Sequence, residues 1–417
     1  MKSLSQARLN IGAAIIGNTL EWFDILVYAY FVKAIAANFF PVASGASSLL
    51  LAYGTFGLSF IARPLGAVVL GRIADRSGRR AALVYASALM CVGTLAIAVL
   101  PPYAAIGIAA PLLLLIARLV QGFSAGGEFG SATAYLAEQS EGRRAFYSSW
   151  QFASQGLGMV FAALIGLTLS RWLSAASMMA WGWRVPFLIG ALVGPVAYFI
   201  RRNVDETLEF LAAASRVKPT TPQRSAGLLT RCAVGAGAVL ACTVMIYFLV
   251  YIPSFAQTVL HADPTIAYAT ALVSGTTLFI GSPLAGLAAD RFGVLRVGSI
   301  AAALVVLVTY PIFAALVAGR DETSILLGQF ALSSVTALYL GALPAILANL
   351  FDTRSRSFGL AVSYNLAVMT GGGFAQMIFV LLIGWTGSSV APSYYAMFSG
   401  AVSLCSLLAC RRIGRGA

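Results

Sequence analysis

The sequence has little charge. Only 10% of its 417 residues are Asp, Glu, Lys or Arg, whereas 59% are hydrophobic. A soluble globular domain carries roughly 25% charged residues, which keep its surface solvated. This composition cannot cover a water-facing surface, and most of the molecule is therefore expected to face lipid.

Metal-binding and redox residues are also scarce. The chain has one histidine, His261, and five cysteines. The cysteines lie inside apolar segments without the paired spacing of a metal site, so we interpret them as small core residues. The sequence shows no catalytic triad, phosphate loop or His/Asp cluster. It therefore predicts that the protein is not an enzyme and uses neither a metal nor a cofactor.

Long apolar runs dominate the rest of the sequence. A run of about 20 apolar residues can cross a bilayer as a helix, and a lipid-exposed backbone must bond internally. The pattern predicts an all-α integral membrane protein with twelve transmembrane helices, at residues 12–37, 48–71, 82–100, 104–136, 145–170, 183–200, 229–256, 266–288, 297–318, 324–350, 357–383 and 392–410.

The basic residues, which give a net charge of +13, have a one-sided distribution. With the N-terminus in the cytoplasm, almost all Lys and Arg residues fall in cytoplasmic segments. The exceptions are Arg171, Arg184 and Arg320 on the other side, and Lys33, Arg63 and Arg118 within helices. This positive-inside bias predicts a multi-pass protein of the inner membrane with both termini in the cytoplasm. It also removes the reason to expect a nucleic-acid partner.

One long polar stretch, residues 201–231, divides the predicted helices into two sets of six. We therefore expect an N-terminal bundle at 1–200, a cytoplasmic linker at 201–228 and a C-terminal bundle at 229–417. The segments GRIADRSGRRAAL (71–83) and GLAADRFGVLRVGS (286–299) follow helices two and eight and are similar to each other. Two related bundles around a central cavity are expected of a transporter that alternates between inward- and outward-open states.

GRIADRSGRRAAL resembles the signature of the major facilitator superfamily between helices two and three. In physical terms it predicts a cytoplasmic latch, because Asp75 can lie at a helix N-terminus and the arginines can pair with acids such as Glu138. The second copy, DRFGVLR, lacks the basic pair, so weaker contacts are expected there. The predicted gating residues are Gly71, Asp75, Arg76, Gly78, Arg79, Arg80, Glu138, Asp290 and Arg291.

Further segments resemble the metabolite:proton symporter family of that superfamily. They include GNTLEWFD (17–24), RLVQGFSAGGEFG (118–130) and WGWRVPF (181–187). FYSSWQFASQ (146–155) and IYFLVYIPSFAQTVL (246–260) are most similar to citrate and tricarboxylate carriers. The resemblance implies symport of a small organic anion with protons.

Three alternatives remain at this level. One is a proton-coupled carrier of a zwitterionic osmolyte such as proline or betaine, although those relatives usually carry a long C-terminal helix that this sequence does not show. Another is a carrier of a different monocarboxylate or dicarboxylate. The third is a membrane receptor that has lost transport, which would be expected to lose the coupling residues as well.

Ionisable residues deep in a bilayer are costly, so they mark candidate substrate or proton paths. Helix one carries Glu21 and Asp24, helix two carries Arg63, and helix four carries Arg118 and Glu128. By resemblance to proton-coupled members of the superfamily, Asp24 and Arg118 form the coupling pair, with Asp24 as the proton acceptor. Glu21 and Glu128 are further candidates for coupling. A structural network holding helices one, two and four together is the competing interpretation.

The expected substrate is an anion with two or three carboxylates, because Arg63 and Arg118 carry forked donors suited to that group. Citrate, tricarballylate and 2-oxoglutarate are the candidates. A functional monomer in the lipid bilayer is expected. The predicted binding residues beside the two arginines are Asn18, Tyr28, Gln151 and Gln155 in the first half and Tyr247, Tyr251, Ser363 and Asn365 in the second.

Overall fold

The computed structural model describes residues 4–41, 44–77, 79–137, 142–202, 227–352 and 355–413. Within these ranges the chain is helical, and it forms twelve long helical segments, α1 to α12. They are α1 Leu4–Tyr30, α2 Gly45–Ser59 with Phe60–Ala62 and Arg63–Ser77, α3 Arg79–Val99, α4 Ala109–Ser124 with Ala125–Gly127 and Glu128–Ala137, α5 Arg144–Trp172, α6 Val185–Arg202, α7 Leu228–Thr258, α8 Pro264–Phe292, α9 Val294–Gly319, α10 Glu322–Leu350, α11 Arg356–Ala367 with Val368–Gly372 and Ala375–Thr386, and α12 Pro392–Ile413.

The predicted all-α architecture with twelve helices is confirmed. Among the described residues, eight segments meet strict criteria of length and hydropathy for a membrane span, and Leu228–Thr258 has a mean hydropathy of 2.2. Large apolar side chains are exposed along the helices, as expected for a lipid-facing surface; Leu192 is 75% exposed and Leu307 is 70% exposed. The first helix differs from its predicted range because it ends at Tyr30, and a separate short helix follows at Val32–Phe39.

The predicted linker at 201–228 lies mostly outside the described residues, and the division into two bundles stays a prediction. What the structure describes is the contact between the segments on either side of it. Along α5 and α8 the backbones approach closely, since a Cβ at Gly156 would lie 2.7 Å from the Gly275 carbonyl oxygen, and the reverse distance is the same. Small residues at such crossings let helices pack at short range.

A similar close approach joins α2 to α4. A Cβ at Gly122 would overlap the carbonyl oxygen of Ser59, and one at Gly66 would overlap that of Phe123. Both helices pass through a short 3-10 turn, Phe60–Ala62 in α2 and Ala125–Gly127 in α4. The crossing therefore holds the segments that carry Arg63 and Arg118 at backbone contact.

The eleventh segment contains a π-helical turn at Val368–Gly372. It is closed by a hydrogen bond of 2.7 Å from the Gly373 amide to the Val368 carbonyl, five residues earlier. Before the turn, Asn365 contacts Gly126 of α4. After it, Phe374 packs on Gly57 of α2. The turn thus lets both ends of α11 contact the first half of the chain.

Candidate functional site

Asp24 lies in a buried niche between α1, α3 and α6. The Thr94 side chain of α3 lies beside its carboxyl group, and the Cys91 thiol of the same helix is also close. The other carboxyl oxygen, Oδ1, has no hydrogen-bond partner among the described atoms. It lies against Gly190 of α6, where a Cβ would overlap it. The niche therefore fits a carboxyl group whose second oxygen is left without a fixed donor.

Arg118 is fully buried above two aromatic rings. Its guanidinium carbon lies 4.5 Å from the ring centre of Tyr28 and 4.9 Å from that of Phe56. The two terminal nitrogens donate to the Gln121 side-chain oxygen (2.7 Å) and to the Ser59 hydroxyl (3.3 Å), while Nε has no partner. Arg118 thus bonds to neutral oxygens and keeps its Nε–H, among other N–H donors, for another group.

Asp24 and Arg118, the predicted coupling pair, do not form a direct salt bridge. They are connected through two polar side chains instead, since the Gln121 amide donates to the Thr94 hydroxyl at 2.8 Å. Neither Gln121 nor Thr94 is among the predicted site residues. Thr94 could not be found from the sequence, because one buried threonine among many gives no signal.

A small central cavity lies one helical turn further toward the predicted cytoplasmic end. It has room for about one water molecule and is lined by Asn18, Glu21, Trp22, Arg63, Ala125, Phe129, Gln151 and Tyr364. Arg63 is buried, its guanidinium carbon lies 4.5 Å from the Phe60 ring centre, and its Nε has no partner among the described atoms. The lining joins α1, α2, α4, α5 and α11, so the cavity lies between the two halves of the chain.

The three predicted amide ligands differ in how many of their polar atoms are already hydrogen-bonded, and of the three Asn18 and Gln151 line the cavity. The Asn18 side chain donates to the backbone carbonyl of Gln151 (2.9 Å) and to the Ser154 hydroxyl (2.6 Å), and the Gln151 side chain donates to the Asn18 oxygen at 3.2 Å. The hydrogen bonds of Asn18 therefore join α1 to α5. Both amide atoms of Gln155, which is 1% exposed, are without partners among the described atoms. Of the three amides, Gln155 has the most unused hydrogen-bonding capacity.

An outer aromatic cluster, formed by Tyr53, Phe56, Phe60, Tyr247 and Tyr251, closes the side away from the predicted cytoplasmic end. Tyr247 of α7 packs against Phe56 (5.7 Å) and Phe60 (5.6 Å), and Tyr251 packs against Tyr53 (5.9 Å). The Tyr247 hydroxyl has no hydrogen-bond partner in the described part of the chain and lies near Arg63 and Arg118. The sequence analysis named the two α7 tyrosines but not their partners on α2.

Three other predicted binding residues make contacts between helices. The Tyr28 hydroxyl donates to the Ala52 carbonyl, joining α1 to α2. Ser363 donates to the Cys232 carbonyl, which joins α11 to α7. Asn365 donates to the Gly126 carbonyl, which joins α11 to α4 across the two halves. None of these three residues lines the central cavity.

The predicted cytoplasmic end is closed as well. Beneath the cavity, Phe129 and Tyr364 stack with ring centres 3.6 Å apart. Nearer that end, both carboxylate oxygens of Asp290 accept hydrogen bonds, each of 2.9 Å, from the Ala145 and Phe146 amides in the first turn of α5. This is the helix-terminus arrangement expected for an anion, although the gating role of Asp290 stays a prediction.

The other gating residues are described only in part. Gly71 lies within α2 with open space around it, and Arg76 and Arg291 are exposed. The side chains of Asp75, Arg79, Arg80 and Glu128 lie outside the described part of the structure, as do the whole residues Gly78 and Glu138. The predicted pairing of Glu138 with the latch arginines is therefore untested. No group of three or more metal-ligating residues occurs among the described residues.

Comparison with known proteins extends this description. A family model described as sugar (and other) transporter matches residues 9–226. Citrate–proton symporters of Salmonella typhi and Klebsiella pneumoniae are 37% and 36% identical, over 94% of this chain and 91% and 88% of theirs. The alpha-ketoglutarate permease of Escherichia coli is 33% identical over 96% of this chain and 93% of its own length. A putative proline/betaine transporter of Staphylococcus haemolyticus is also 33% identical, over 93% of this chain and 84% of its own.

A solved structure shows the same fold at lower identity. The major facilitator superfamily proton:xylose symporter XylE superposes with a TM-score of 0.80 at 17% identity, over 97% of this chain and 95% of its own.

Proposed function

Because the chain belongs to the sugar (and other) transporter family of the major facilitator superfamily, we propose that it imports a tri- or dicarboxylate, citrate foremost, together with protons. Its similarity to citrate–proton symporters over most of its length supports this assignment. Of the alternatives, the proline and betaine carriers match at lower identity.

The observation that carries the anion assignment is that the two buried arginines have hydrogen-bond donors without acceptors. Among the described atoms, Arg63 and Arg118 each keep Nε without an acceptor, and the two hydrogen bonds of Arg118 go to neutral oxygens. A guanidinium is always charged and pairs with carboxylates through two parallel hydrogen bonds. Leaving such donors unsatisfied in a low-dielectric interior is costly, so an entering carboxylate gains where a neutral or cationic solute does not.

The substrate would lie between the central cavity and the outer aromatic cluster, in reach of both arginines. Tyr247 of the second half contributes an unbonded hydroxyl there, and Gln155 contributes an unbonded amide. These neutral groups can donate to a carboxylate or hydroxyl without adding a second buried charge. A substrate held from both halves is what alternating access requires, because each half must release it on one side.

Proton coupling follows from the positions of Asp24 and Arg118. Burial disfavours a charged carboxylate, whereas a nearby arginine favours it. When Arg118 turns toward the substrate, Asp24 loses part of that support and takes up a proton. The loaded carrier then carries less net charge through the membrane interior. In this mechanism Asp24 is the proton acceptor, and Arg118 contacts the substrate.

We also propose a functional monomer of the inner membrane, built from the two six-helix bundles with both termini in the cytoplasm. The distribution of basic residues supports this orientation. Closure above the cavity by the outer aromatic cluster and below it by Phe129, Tyr364 and Asp290 fits an occluded intermediate of the transport cycle.

The test is uptake of radiolabelled citrate into proteoliposomes, with an inward proton gradient either imposed or collapsed. Uptake that follows the gradient and is blocked by unlabelled tricarboxylates is the expected result. Competition by 2-oxoglutarate alone would move the assignment to dicarboxylates. Competition by betaine or proline, with no effect of citrate, would overturn the anion assignment.

A further inference from the structure

Two hydrogen bonds and one close approach connect Arg118 to Asp24. Arg118 donates to the Gln121 oxygen at 2.7 Å, and the Gln121 amide donates to the Thr94 hydroxyl at 2.8 Å. The Thr94 side chain lies beside the Asp24 carboxyl group, since Thr94 Cγ2 and Asp24 Oδ1 both face Gly190. All four residues are buried, with exposures of 1%, 2%, 0% and 8% from Arg118 to Asp24. We refer to them as the Arg118–Asp24 link.

The direction of each bond in the link is dictated by chemistry. Arginine has donors only, so the Gln121 oxygen must face Arg118 and its NH₂ group must face Thr94. The Thr94 oxygen then accepts from Gln121, which leaves its single proton to point at Asp24. A hydroxyl that donates to a carboxylate stabilises the charged form of that carboxylate. Arg118 therefore orients a donor toward Asp24 without touching it.

The packing around Gln121 limits the orientations that its side chain can adopt. A Cβ at Gly93 would lie 2.7 Å from the Gln121 Cγ and 3.0 Å from the Ala117 carbonyl oxygen, so α3 and α4 press together at this point. Gly93 is the neighbour of Thr94, and its missing side chain gives Gln121 the space to reach across. The sequence thus provides both the polar side chains and, at Gly93, the space in which the Gln121 side chain reaches Thr94.

Few other charged groups act on Asp24. Among the described residues, the charged or titratable groups that act on its carboxyl group are Arg118 of α4 and the Cys91 thiol of α3, and α6 places Gly190 against Oδ1. The Cys91 thiol also lies 3.3 Å from the Ala191 carbonyl oxygen. The link is accordingly the route through side chains by which a change at Arg118 reaches Asp24.

We propose that Thr94 and Gln121 are positioning residues that transmit the state of Arg118 to Asp24 and so couple substrate binding to proton uptake. This inference rests on the proposed proton symport. A substrate carboxylate that draws Arg118 away removes the fixed donor to the Gln121 oxygen. Gln121 is then released from its orientation, the Thr94 hydroxyl loses its donor, and it can turn from Asp24. The carboxylate is left without its donor and binds a proton.

The experiment is an infrared titration of the Asp24 carboxyl band in the full-length protein reconstituted in lipid. The band is assigned by its absence in Asp24→Asn. Thr94→Val should move its titration about one pH unit toward alkaline pH, the size expected when a charged carboxylate loses one donor. Gln121→Leu should move it in the same direction although Gln121 does not contact Asp24.

The decisive readout is the combination of the two substitutions. If the effect of Gln121 passes through the Thr94 hydroxyl, Gln121→Leu causes no further shift in the Thr94→Val background. Additive shifts, or an unchanged titration in Gln121→Leu, would overturn the link. Thr94→Ser keeps the hydroxyl and should restore the wild-type titration, and Gln121→Met provides a second variant if Gln121→Leu does not fold.

A matched control is Thr309→Val in α9, since Thr309 is equally buried and bonds only to the Val305 carbonyl of its own helix. It should leave the band unchanged. The titration needs no substrate, so it judges the link even if citrate is not transported. If the titration behaves as expected but citrate uptake is absent, the substrate assignment fails and the link stands.

Discussion

At the scale of single residues, the two buried arginines have different neighbours and are expected to serve different tasks. Arg63 borders the central cavity, whereas Arg118 lies closer to Asp24 and is linked to it through neutral groups. A direct salt bridge would hold both charges in place and would cost much to break in the interior. A link through hydrogen bonds leaves Arg118 responsive to a substrate.

Asp24→Asn tests the proton acceptor. The amide has nearly the shape of the carboxyl group but cannot gain or lose a proton, so gradient-driven accumulation should fall to the level seen without a gradient. Exchange of labelled for unlabelled substrate at equal pH should persist. Asp321→Asn is the matched control, because Asp321 is an exposed N-cap of α10 that Asn can replace. Proton-driven accumulation by the Asp24 variant would contradict the assignment.

Arg63→Lys tests carboxylate recognition at the cavity. Lysine keeps the charge but not the planar fork, so the apparent KM for citrate should rise by roughly tenfold to a hundredfold, the range expected for loss of one hydrogen bond to a charged group. Arg184→Lys serves as the control, since Arg184 donates only to the backbone carbonyls of Ala180 and Leu100. An unchanged KM in the Arg63 variant would remove that residue from the binding site.

The limits of sequence-based prediction are clearest among these residues. Asp24, Arg63 and Arg118 could be identified because a charge within an apolar run is conspicuous. Thr94 could not, because threonines that bond to their own helix, such as Thr309, look the same in the sequence. Ser363 and Asn365 are predicted to bind the substrate and donate to carbonyls of other helices. Their binding role stays a prediction, since a polar residue on an inner helix face serves either purpose.

At the scale of secondary structure elements, the crossing of α2 and α4 sets the geometry of the site. Gly122, Gly66 and Gly126 each lie so close to the opposing backbone that a Cβ would overlap a carbonyl oxygen. Apolar runs predicted the helices themselves, with ends that differ by several residues in places. They did not predict this crossing, because it depends on which glycine meets which carbonyl.

Gly122→Ala should therefore push α4 away from α2 and destabilise the folded protein by about 1–3 kcal/mol, the usual cost of overpacking. The measurement is thermal unfolding in detergent together with citrate uptake. Gly45→Ala, in the first turn of α2 with open space around its Cβ position, should leave both unchanged. Equal stability of the two variants would show that the crossing relaxes without cost.

At the scale of the whole molecule, the contacts above and below the cavity differ in kind. The outer side is closed by aromatic rings, which separate without leaving buried charges behind. The inner side has the Asp290 carboxylate bonded to two amides of α5, and Arg144 of α5 donates to Asn349 of α10. Opening toward the predicted cytoplasm must break bonds to a charged group, so that transition is expected to be the more strongly gated.

Asp290→Asn should weaken this inner closure, because an amide has one acceptor oxygen and no charge to meet the positive end of the α5 dipole. The readout is labelling of Ala361→Cys in a background without native cysteines, since Ala361 lies between the halves against Gly130. Labelling from the cytoplasmic side should accelerate several-fold. Asp263→Asn, at an exposed N-cap of α8, should not change it, and equal labelling in both variants would exclude Asp290 from the gate.

The π-helical turn of α11 has a consequence for comparing this protein with its relatives. Phe374 lies nine positions after Asn365, and in a regular α-helix at about 100° per residue the two would point in opposite directions. The extra residue held in Val368–Gly372 brings them to within roughly 80° of each other. In an alignment, a one-residue gap is therefore physically permitted inside 368–372. Placed anywhere else in α11, the same gap would pair every residue on one side of it with a counterpart on the wrong face.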